Sequence, residues 1–181
     1  MKEAMKNVVL TGFMGSGKTS TGRLLAGRMN RPFIDTDQKI EQETGMTISE
    51  IFRVYGEAYF RQKERDLINK VSRYTNTVIA TGGGTVMNLD SMNRLKANGV
   101  IISLTAALPV ILERTGRRTH RPVLECPDKC ALVTRLFRER AELYRKADYS
   151  VDTSVYSPQE VVEQIINFLR QGGYWLGRSK G

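Results

Sequence analysis

Histidine and cysteine are almost absent from this sequence. Its 181 residues include one histidine, His120, and two cysteines, Cys126 and Cys130, in the spacing C-x-x-x-C. A tetrahedral zinc site of histidine and cysteine ligands would need unusual help from carboxylates, and a reducing compartment disfavours a disulfide. We therefore interpret both cysteines as ordinary thiols.

Long apolar runs are also absent. No run approaches the length that spans a bilayer, and residues 1–6, which precede the first predicted strand, are too few for a signal or transit peptide. The sequence therefore predicts a cytoplasmic protein without membrane attachment.

Acidic residues are fewer than basic ones, 19 against 28, so the formal net charge is +9. Such a chain could bind nucleic acid, an anionic membrane or small anions. Because no nucleic-acid motif or aromatic-lined basic stripe is present, small phosphorylated and carboxylated ligands explain the arginines more economically. A nucleic-acid binder remains an alternative, and it predicts an affinity that falls steeply with salt.

The most informative stretch is GFMGSGKT, from Gly12 to Thr19, which fits the phosphate-loop pattern G-x-x-x-x-G-K-[ST]. Glycines let backbone N–H groups turn toward phosphate oxygens, Lys18 places an ammonium against the outer phosphates, and Thr19 offers a hydroxyl to Mg²⁺. A strand-like run precedes it and a helix-like segment follows, as the motif requires. Its candidate nucleotide-binding residues are Gly12, Gly15, Ser16, Gly17, Lys18, Thr19 and Ser20.

Strand-like and helix-like segments alternate along the chain. Strands are predicted at 7–11, 31–37, 77–80, 100–104 and 149–152, with helical segments between them. This alternation predicts an α/β fold with a five-stranded parallel sheet and helices on both faces. We expect a single domain over residues 1–171.

Two segments lack apolar periodicity. The arginine-dense stretch 114–125 contains Gly116 and Pro122, which predicts a mobile loop. The glycine-rich and basic stretch 172–181 predicts a flexible tail, with Trp175 packed back on the body.

Local signals also mark helix ends. Capping boxes are predicted at Thr47-Ile-Ser-Glu50 and at Ser157-Pro-Gln-Glu160. Gly56 is expected to interrupt a helix, and Asn98-Gly99 to end one.

Residues that could bind a ligand or catalyse a reaction follow the predicted strands, and open parallel sheets bind ligands at these strand ends. One of Asp35 and Asp37 could support Mg²⁺ while the other reaches a substrate hydroxyl, although Asp37 could instead cap a helix. The Gly82–Gly84 stretch could present N–H groups to an anion or a sugar-like ring, or form a plain tight turn. Arg61 and Glu64 share a helix face and by themselves look like a surface ion pair.

Taken together, these segments resemble the shikimate kinase family. The resemblance extends to about Leu169 and rests on the ordered segments GFMGSGKT, FIDTD, FRQKE, ATGGGTV, RPVL and RERAELY. The phosphate loop alone is shared by very many nucleotide-hydrolysing enzymes, but its ordered combination with the other segments is specific.

The resemblance implies an ATP-dependent kinase with a mobile lid that phosphorylates the 3-hydroxyl of shikimate with the help of Mg²⁺. It implies that Lys18 holds the transferring phosphates and that Thr19 ligates Mg²⁺ with support from Asp35. Arg121 would belong to the lid that closes over ATP, where it is a candidate catalytic residue, and Arg114 would lie near the adenine. We expect a monomer.

The same resemblance implies the residues on the acceptor side. Asp37 would contact the substrate hydroxyls and is the candidate base. Arg61 and Arg140 would bind the shikimate carboxylate, and Gly83 would lend a backbone N–H from within the Gly82–Gly84 stretch. A planar carboxylate suits the arginine fork.

The chain departs from the family pattern at Glu142, where the family often has proline, and we expect little effect. The contacts of Arg117, Arg118 and His120 are not predictable. A gluconate or nucleoside-monophosphate kinase is the nearest enzymatic alternative. A nucleotide-dependent binding module that has lost turnover is the nonenzymatic one.

Overall fold

The centre of the fold is a parallel sheet whose five strands have the order β2-β3-β1-β4-β5. The computed structural model describes residues 6–116 and 128–175. Within them the strands are β1 (Asn7–Thr11), β2 (Phe33–Asp35), β3 (Val78–Ala80), β4 (Gly99–Thr105) and β5 (Tyr149–Asp152). All neighbouring strands are parallel, so the predicted fold class is confirmed.

Helices cover both faces of this sheet. The helices are α1 (Lys18–Met29), α2 (Thr36–Thr44), α3 (Ile48–Val71), α4 (Leu89–Ala97), α5 (Leu108–Gly116), α6 (Lys129–Tyr144) and α7 (Pro158–Gln171), and a 3₁₀ turn covers Thr85–Met87. In β1, Val8 and Leu10 point into one buried cluster with helices α1 and α7, whereas Val9 points into a second cluster with α2, α3 and α4. Strands that are buried on both faces have almost continuous apolar runs, as β1 does.

Both predicted capping boxes are present. Thr47 and Glu50 satisfy each other's backbone N–H groups at the start of α3, and Ser157 and Glu160 do the same at the start of α7. Gly56 interrupts α3 as predicted, because its backbone is not helical (φ 82°, ψ 170°).

The predicted helix end at Asn98-Gly99 is confirmed. Helix α4 ends at Ala97 with Asn98 as its C-cap, but Gly99 is the first residue of β4 and pairs with Asn7. A Cβ on Gly99 would lie 2.7 Å from the carbonyl oxygen of Leu95. Glycine is therefore required here by close packing against the helix.

The described part of the tail packs against the body. Trp175 contacts the buried cluster that contains α1 and α7, and its ring centroid lies 4.9 Å from the guanidinium carbon of Arg170. None of the described helices is both long and apolar enough to cross a membrane. The loop predicted over residues 114–125 starts too early, because helix α5 continues to Gly116. The remaining predicted lid residues Arg117, Arg118, His120 and Arg121, and Cys126 with them, lie outside the described residues, whereas Cys130 is an exposed thiol.

Candidate active site

The carboxyl ends of the parallel strands bring the predicted site residues to one edge of the sheet. The register places Leu10 of β1 beside Ala80 of β3 and Ile102 of β4. The loop after β1 and the glycine turn after β3 therefore leave the sheet at the same level. Ligands of open α/β sheets bind at this edge.

The loop Gly12–Thr19, called the phosphate loop below, has the conformation that its glycines permit. Gly12, Gly15 and Gly17 have φ values of 147°, 78° and 93°, which are strained for any residue with a Cβ. A Cβ on Gly12 would also collide with the carbonyl oxygen of Leu104. Gly17 precedes the first turn of α1, which carries no acidic side chain, so the positive end of the helix dipole is available to an anion.

Lys18 lies back across the phosphate loop. Its Nζ donates to the carbonyl oxygens of Gly12 at 2.7 Å and Phe13 at 3.0 Å, and the residue is 8% exposed. A buried ammonium needs such oxygen partners. The chain thus holds a fixed positive charge beside the backbone N–H groups of the loop.

Asp35 and Thr19 form a preassembled oxygen pair. The Thr19 hydroxyl donates to Asp35 Oδ2 at 2.6 Å, and Asp35 Oδ1 accepts from the Gln38 N–H at 3.2 Å. Asp35 is therefore the N-cap of α2. The alternative that Asp37 caps this helix is wrong, because Asp37 lies inside its first turn.

Asp37 instead approaches the glycine turn after β3. A Cβ on Gly82 would lie 2.7 Å from Asp37 Oδ1 and 2.7 Å from Glu64 Oε1. The Gly82 N–H donates to the Thr36 hydroxyl at 3.0 Å, which joins this turn to the start of α2. Only glycine at position 82 lets the two carboxylates come so close to the backbone.

Arg61 and Glu64 form an ion pair that is largely buried, so the surface-pair alternative is wrong. Arg61 Nη1 lies 2.9 Å from Glu64 Oε2, and the Glu64 side chain is only 6% exposed. Glu57 binds the same guanidinium at 3.2 Å from the solvent side. The Thr85 hydroxyl donates to Glu64 Oε1 at 2.7 Å. Burial lowers the pKa of Arg61, but the charges and hydrogen bonds of Glu64 and Glu57 outweigh it and leave that pKa raised.

Gly83 joins the turn to helix α6. Its carbonyl oxygen accepts from the Tyr144 hydroxyl at 2.6 Å and from Arg140 Nη1 at 3.3 Å. The Arg140 guanidinium carbon also lies 5.9 Å from the ring centroid of Phe13, in the phosphate loop. Asp37, Arg61, Gly82–Gly84 and Arg140 are together called the acceptor site below.

Arg114 holds the phosphate loop from its other side. It donates to the Gly15 carbonyl at 3.1 Å, the Thr153 hydroxyl at 3.0 Å and the Thr153 carbonyl at 2.8 Å. The Thr153 hydroxyl in turn lies 3.0 Å from the Ser16 carbonyl oxygen. Gly15 and Ser16 are buried by these contacts, whereas Ser20 is exposed on α1.

Three side chains of this site carry roles that the sequence does not reveal. Thr85 binds Glu64, Tyr144 binds the Gly83 carbonyl, and Thr153 ties the phosphate loop to the segment after β5. The four-residue spacing between Arg140 and Tyr144 places both on one face of α6, which is the one available signal. Arg121 lies outside the described residues.

Metal ligation here would depend on few protein groups. Among the described residues, no cluster of three or more histidine, cysteine, aspartate or glutamate side chains could hold a metal ion. Thr19 and Asp35 contribute only oxygen atoms, which suits Mg²⁺, because Mg²⁺ binds through one or two carboxylates plus water and substrate phosphates.

Comparisons with known proteins identify the family of this chain. The family model for shikimate kinase matches residues 14–170. The shikimate kinase of Pelotomaculum thermopropionicum is 46% identical over 170 residues, which cover 94% of this chain and 99% of that protein. The shikimate kinase of Thermodesulfovibrio yellowstonii is 46% identical over 162 residues, which cover 90% of this chain and 94% of that one.

A solved structure extends the likeness to three dimensions. Shikimate kinase from Acinetobacter baumannii in complex with shikimate superposes with a TM-score of 0.89 at 33% identity, covering 94% of this chain and 96% of that one. The residues matched by the family model, 14–170, include Asp37, Arg61, Arg140 and most of the phosphate loop. The chain therefore belongs to the shikimate kinase family.

Proposed function

We propose that this protein transfers the γ-phosphoryl group of ATP to the 3-hydroxyl of shikimate, giving shikimate 3-phosphate and ADP. The observation that carries this proposal is the convergence of Asp37, Arg61 and Arg140 on the Gly82–Gly84 turn, beside the phosphate loop. Such a site offers two cationic forks and one carboxylate to a small acceptor that is both an acid and an alcohol.

The nucleotide side positions phosphates and neutralises their charge. The phosphate loop would bind phosphate oxygens through its backbone N–H groups, and Lys18 would turn its ammonium toward the transferring group. Phosphoryl transfer needs little covalent help from a protein, so positioning and charge account for most of the catalysis. Arg114 is proposed to lie near the adenine, and Arg121 to act in a lid over ATP.

Thr19 and Asp35 would hold Mg²⁺. Both supply oxygen, and their 2.6 Å contact brings them to one point at the edge of the phosphate loop. Mg²⁺, when bound, would neutralise negative charge on the phosphates.

On the acceptor side, the protein's residues would bind and orient shikimate and take a proton from it. Arg61 and Arg140 would bind the shikimate carboxylate, with backbone N–H groups of the Gly82–Gly84 turn beside them. Asp37 would accept a hydrogen bond from the 3-hydroxyl and take its proton as the oxygen attacks phosphorus. Glu64 would keep the Arg61 guanidinium in place.

The proposal also includes a monomeric, cytoplasmic protein that binds no nucleic acid. The last of these three statements is supported by the absence of a nucleic-acid motif and by the small ligands that the site suits.

ADP release in the presence of ATP and Mg²⁺ tests the function. Shikimate, gluconate and a panel of nucleoside monophosphates should be compared at equal concentration, with turnover expected for shikimate alone. Turnover with gluconate or a nucleotide in its place would refute the proposal. ATP binding without turnover on any acceptor would favour a binding module.

A further inference from the structure

The Gly83 carbonyl is the one backbone group of the acceptor site that receives two side-chain donors from α6. The Tyr144 hydroxyl donates at 2.6 Å and Arg140 Nη1 donates at 3.3 Å. The first distance is at the short end of the range for O–H···O bonds, whereas the second exceeds the usual range for N–H···O bonds. Tyr144, not Arg140, therefore sets the direction of this carbonyl.

That direction also determines where the next N–H points. The peptide between Gly83 and Gly84 is planar and trans, since no described peptide bond is cis, so the Gly84 N–H points opposite to the Gly83 carbonyl. Since the carbonyl faces Tyr144, the Gly84 N–H faces away from α6. A Cβ on Gly84 would lie 2.5 Å from Arg61 Nη1, so the backbone of Gly84 lies directly against that guanidinium.

Such a peptide needs an external restraint. Three glycines in a row have no side chains that limit rotation about φ and ψ. Gly82 is held by the Thr36 hydroxyl, and its own carbonyl accepts from the Thr85 N–H at 3.2 Å. The bond between Gly82 and Thr85 closes a turn around the Gly83–Gly84 peptide, and the Gly84 carbonyl accepts from the Met87 N–H at 3.0 Å. Neither of these bonds is made by the carbonyl or the N–H of that peptide, whereas Tyr144 and Arg140 both donate to its carbonyl.

We propose that Tyr144 is a positioning residue of the acceptor site. Its hydroxyl holds the Gly83–Gly84 peptide so that the Gly84 N–H adds a third donor to the carboxylate-binding guanidinium groups of Arg61 and Arg140. The Tyr144 hydroxyl also makes the shorter hydrogen bond to the Gly83 carbonyl, so the longer bond from Arg140 is weak. Arg140 can therefore exchange that bond for one to the ligand. This inference rests on the proposed function, because it takes a carboxylate as the ligand.

Tyr144 does this as a neutral donor. Burial raises its pKa to about 12, although the nearby charge and hydrogen bond of Arg140 act in the opposite direction. The hydroxyl therefore stays protonated between pH 6 and pH 9. A positioning role predicts that the effect of removing it is the same throughout this interval.

The test is Tyr144→Phe, which keeps the buried ring and removes only the hydroxyl. Titration calorimetry should give a dissociation constant for shikimate that is raised about 3- to 10-fold, the size of one neutral hydrogen bond. The constant for ATP should change less than about 2-fold, and the loss for shikimate should be equal at pH 6, 7.5 and 9. Tyr149→Phe is the matched control, because Tyr149 of β5 stacks on Phe168 of α7, away from the acceptor site.

Several outcomes would overturn the inference. Unchanged shikimate affinity, a loss shared equally with ATP, or a loss that varies with pH would each remove the positioning role. If Tyr144→Phe does not fold, amide hydrogen exchange on the ¹⁵N-glycine-labelled wild type replaces it. Shikimate should then slow exchange at Gly84, and unchanged exchange at saturating shikimate would refute the proposal. A wild type that does not bind shikimate would instead refute the proposed function.

Discussion

The two halves of the active site are built in opposite ways. The phosphate loop is one continuous stretch of eight residues whose geometry comes from glycines with positive φ, followed by the start of a helix. The acceptor site takes Asp37 from α2, Arg61 from α3, the glycine turn from the end of β3 and Arg140 from α6. The first half is mainly the backbone of one contiguous segment, whereas the second is mainly side chains from separate elements.

This difference separates a general task from a specific one. Any nucleoside triphosphate presents the same phosphate oxygens, so a fixed set of N–H groups and one lysine serves all of them. A small acid alcohol must be told apart from other small molecules, which requires several directional groups placed independently. Substitutions in the two halves should accordingly affect different ligands.

Lys18→Ala should have the largest effect. Removing the ammonium that lies over Gly12 and Phe13 takes away charge at the transferring phosphate, and turnover should fall about 10³-fold or more. Circular dichroism should still report a folded protein, and shikimate affinity should be retained. Lys96→Ala, in an exposed ion pair with Asp148, is the control. Normal kcat in the folded Lys18 variant would remove the lysine from the mechanism.

Asp37→Asn should have the next largest effect. The change keeps the shape beside Gly82 and removes the group that takes the proton, so kcat should fall about 10²-fold or more while ATP affinity is kept. Stopped-flow or coupled ADP-release assays would measure it against Asp66→Asn, on the exposed face of α3. Retained kcat with only a lower melting temperature would indicate a structural role.

Arg61→Lys tests the fork geometry at constant charge. Lysine cannot reproduce two parallel N–H bonds to a carboxylate. Losing one charge-assisted bond should weaken shikimate binding about 10- to 150-fold, at about 1.5–3 kcal/mol.

ATP binding measured without shikimate should hardly change in the Arg61 variant. Arg65→Lys, one turn further along α3 and bound to Gln62, is the matched control. An equal loss of ATP and shikimate affinity would contradict the division of the site into two halves.

Glu64→Gln should have the smallest effect. The amide keeps the volume and can still accept from Thr85, but it no longer attracts the Arg61 guanidinium. Shikimate affinity should fall about 3- to 10-fold, less than in Arg61→Lys, with ATP affinity unchanged. In the double variant Glu64→Gln with Arg61→Lys, shikimate affinity should fall by less than the product of the two single fold-changes, because both substitutions act on one interaction. Full additivity would mean that Glu64 does not act through Arg61.

The same comparison explains which parts could be predicted from the sequence. The phosphate loop is contiguous, and each of its residues does its work next to its chain neighbours, so the motif was sufficient. The strands and helix caps also follow local rules, and the parallel sheet follows from their alternation. For the acceptor site, local reasoning left Arg61 as a surface pair and Asp37 as a possible cap.

These two interpretations failed for different reasons. Glu64 is buried because Thr85, from a distant segment, covers it. The N-cap of α2 is Asp35 and not Asp37, because β2 ends at Asp35 and the helix begins directly after it. Local sequence rules place the start of a helix only to within one or two residues. Thr153 had no local signal and Tyr144 had only its spacing from Arg140, since each acts on a backbone carbonyl far away in the chain.

The position of β1 in the sheet has a consequence for folding kinetics. Although the phosphate loop is local in sequence, the strand that carries it is the middle one, paired with β3 on one side and β4 on the other. Both partners lie far along the chain, and parallel pairings of such high contact order form slowly, because long loops must close before any contact compensates for their entropy. We therefore expect the nucleotide-binding conformation to form together with the distant segments and not before them, because a nascent chain that ends before β4 has the motif without its two-sided support.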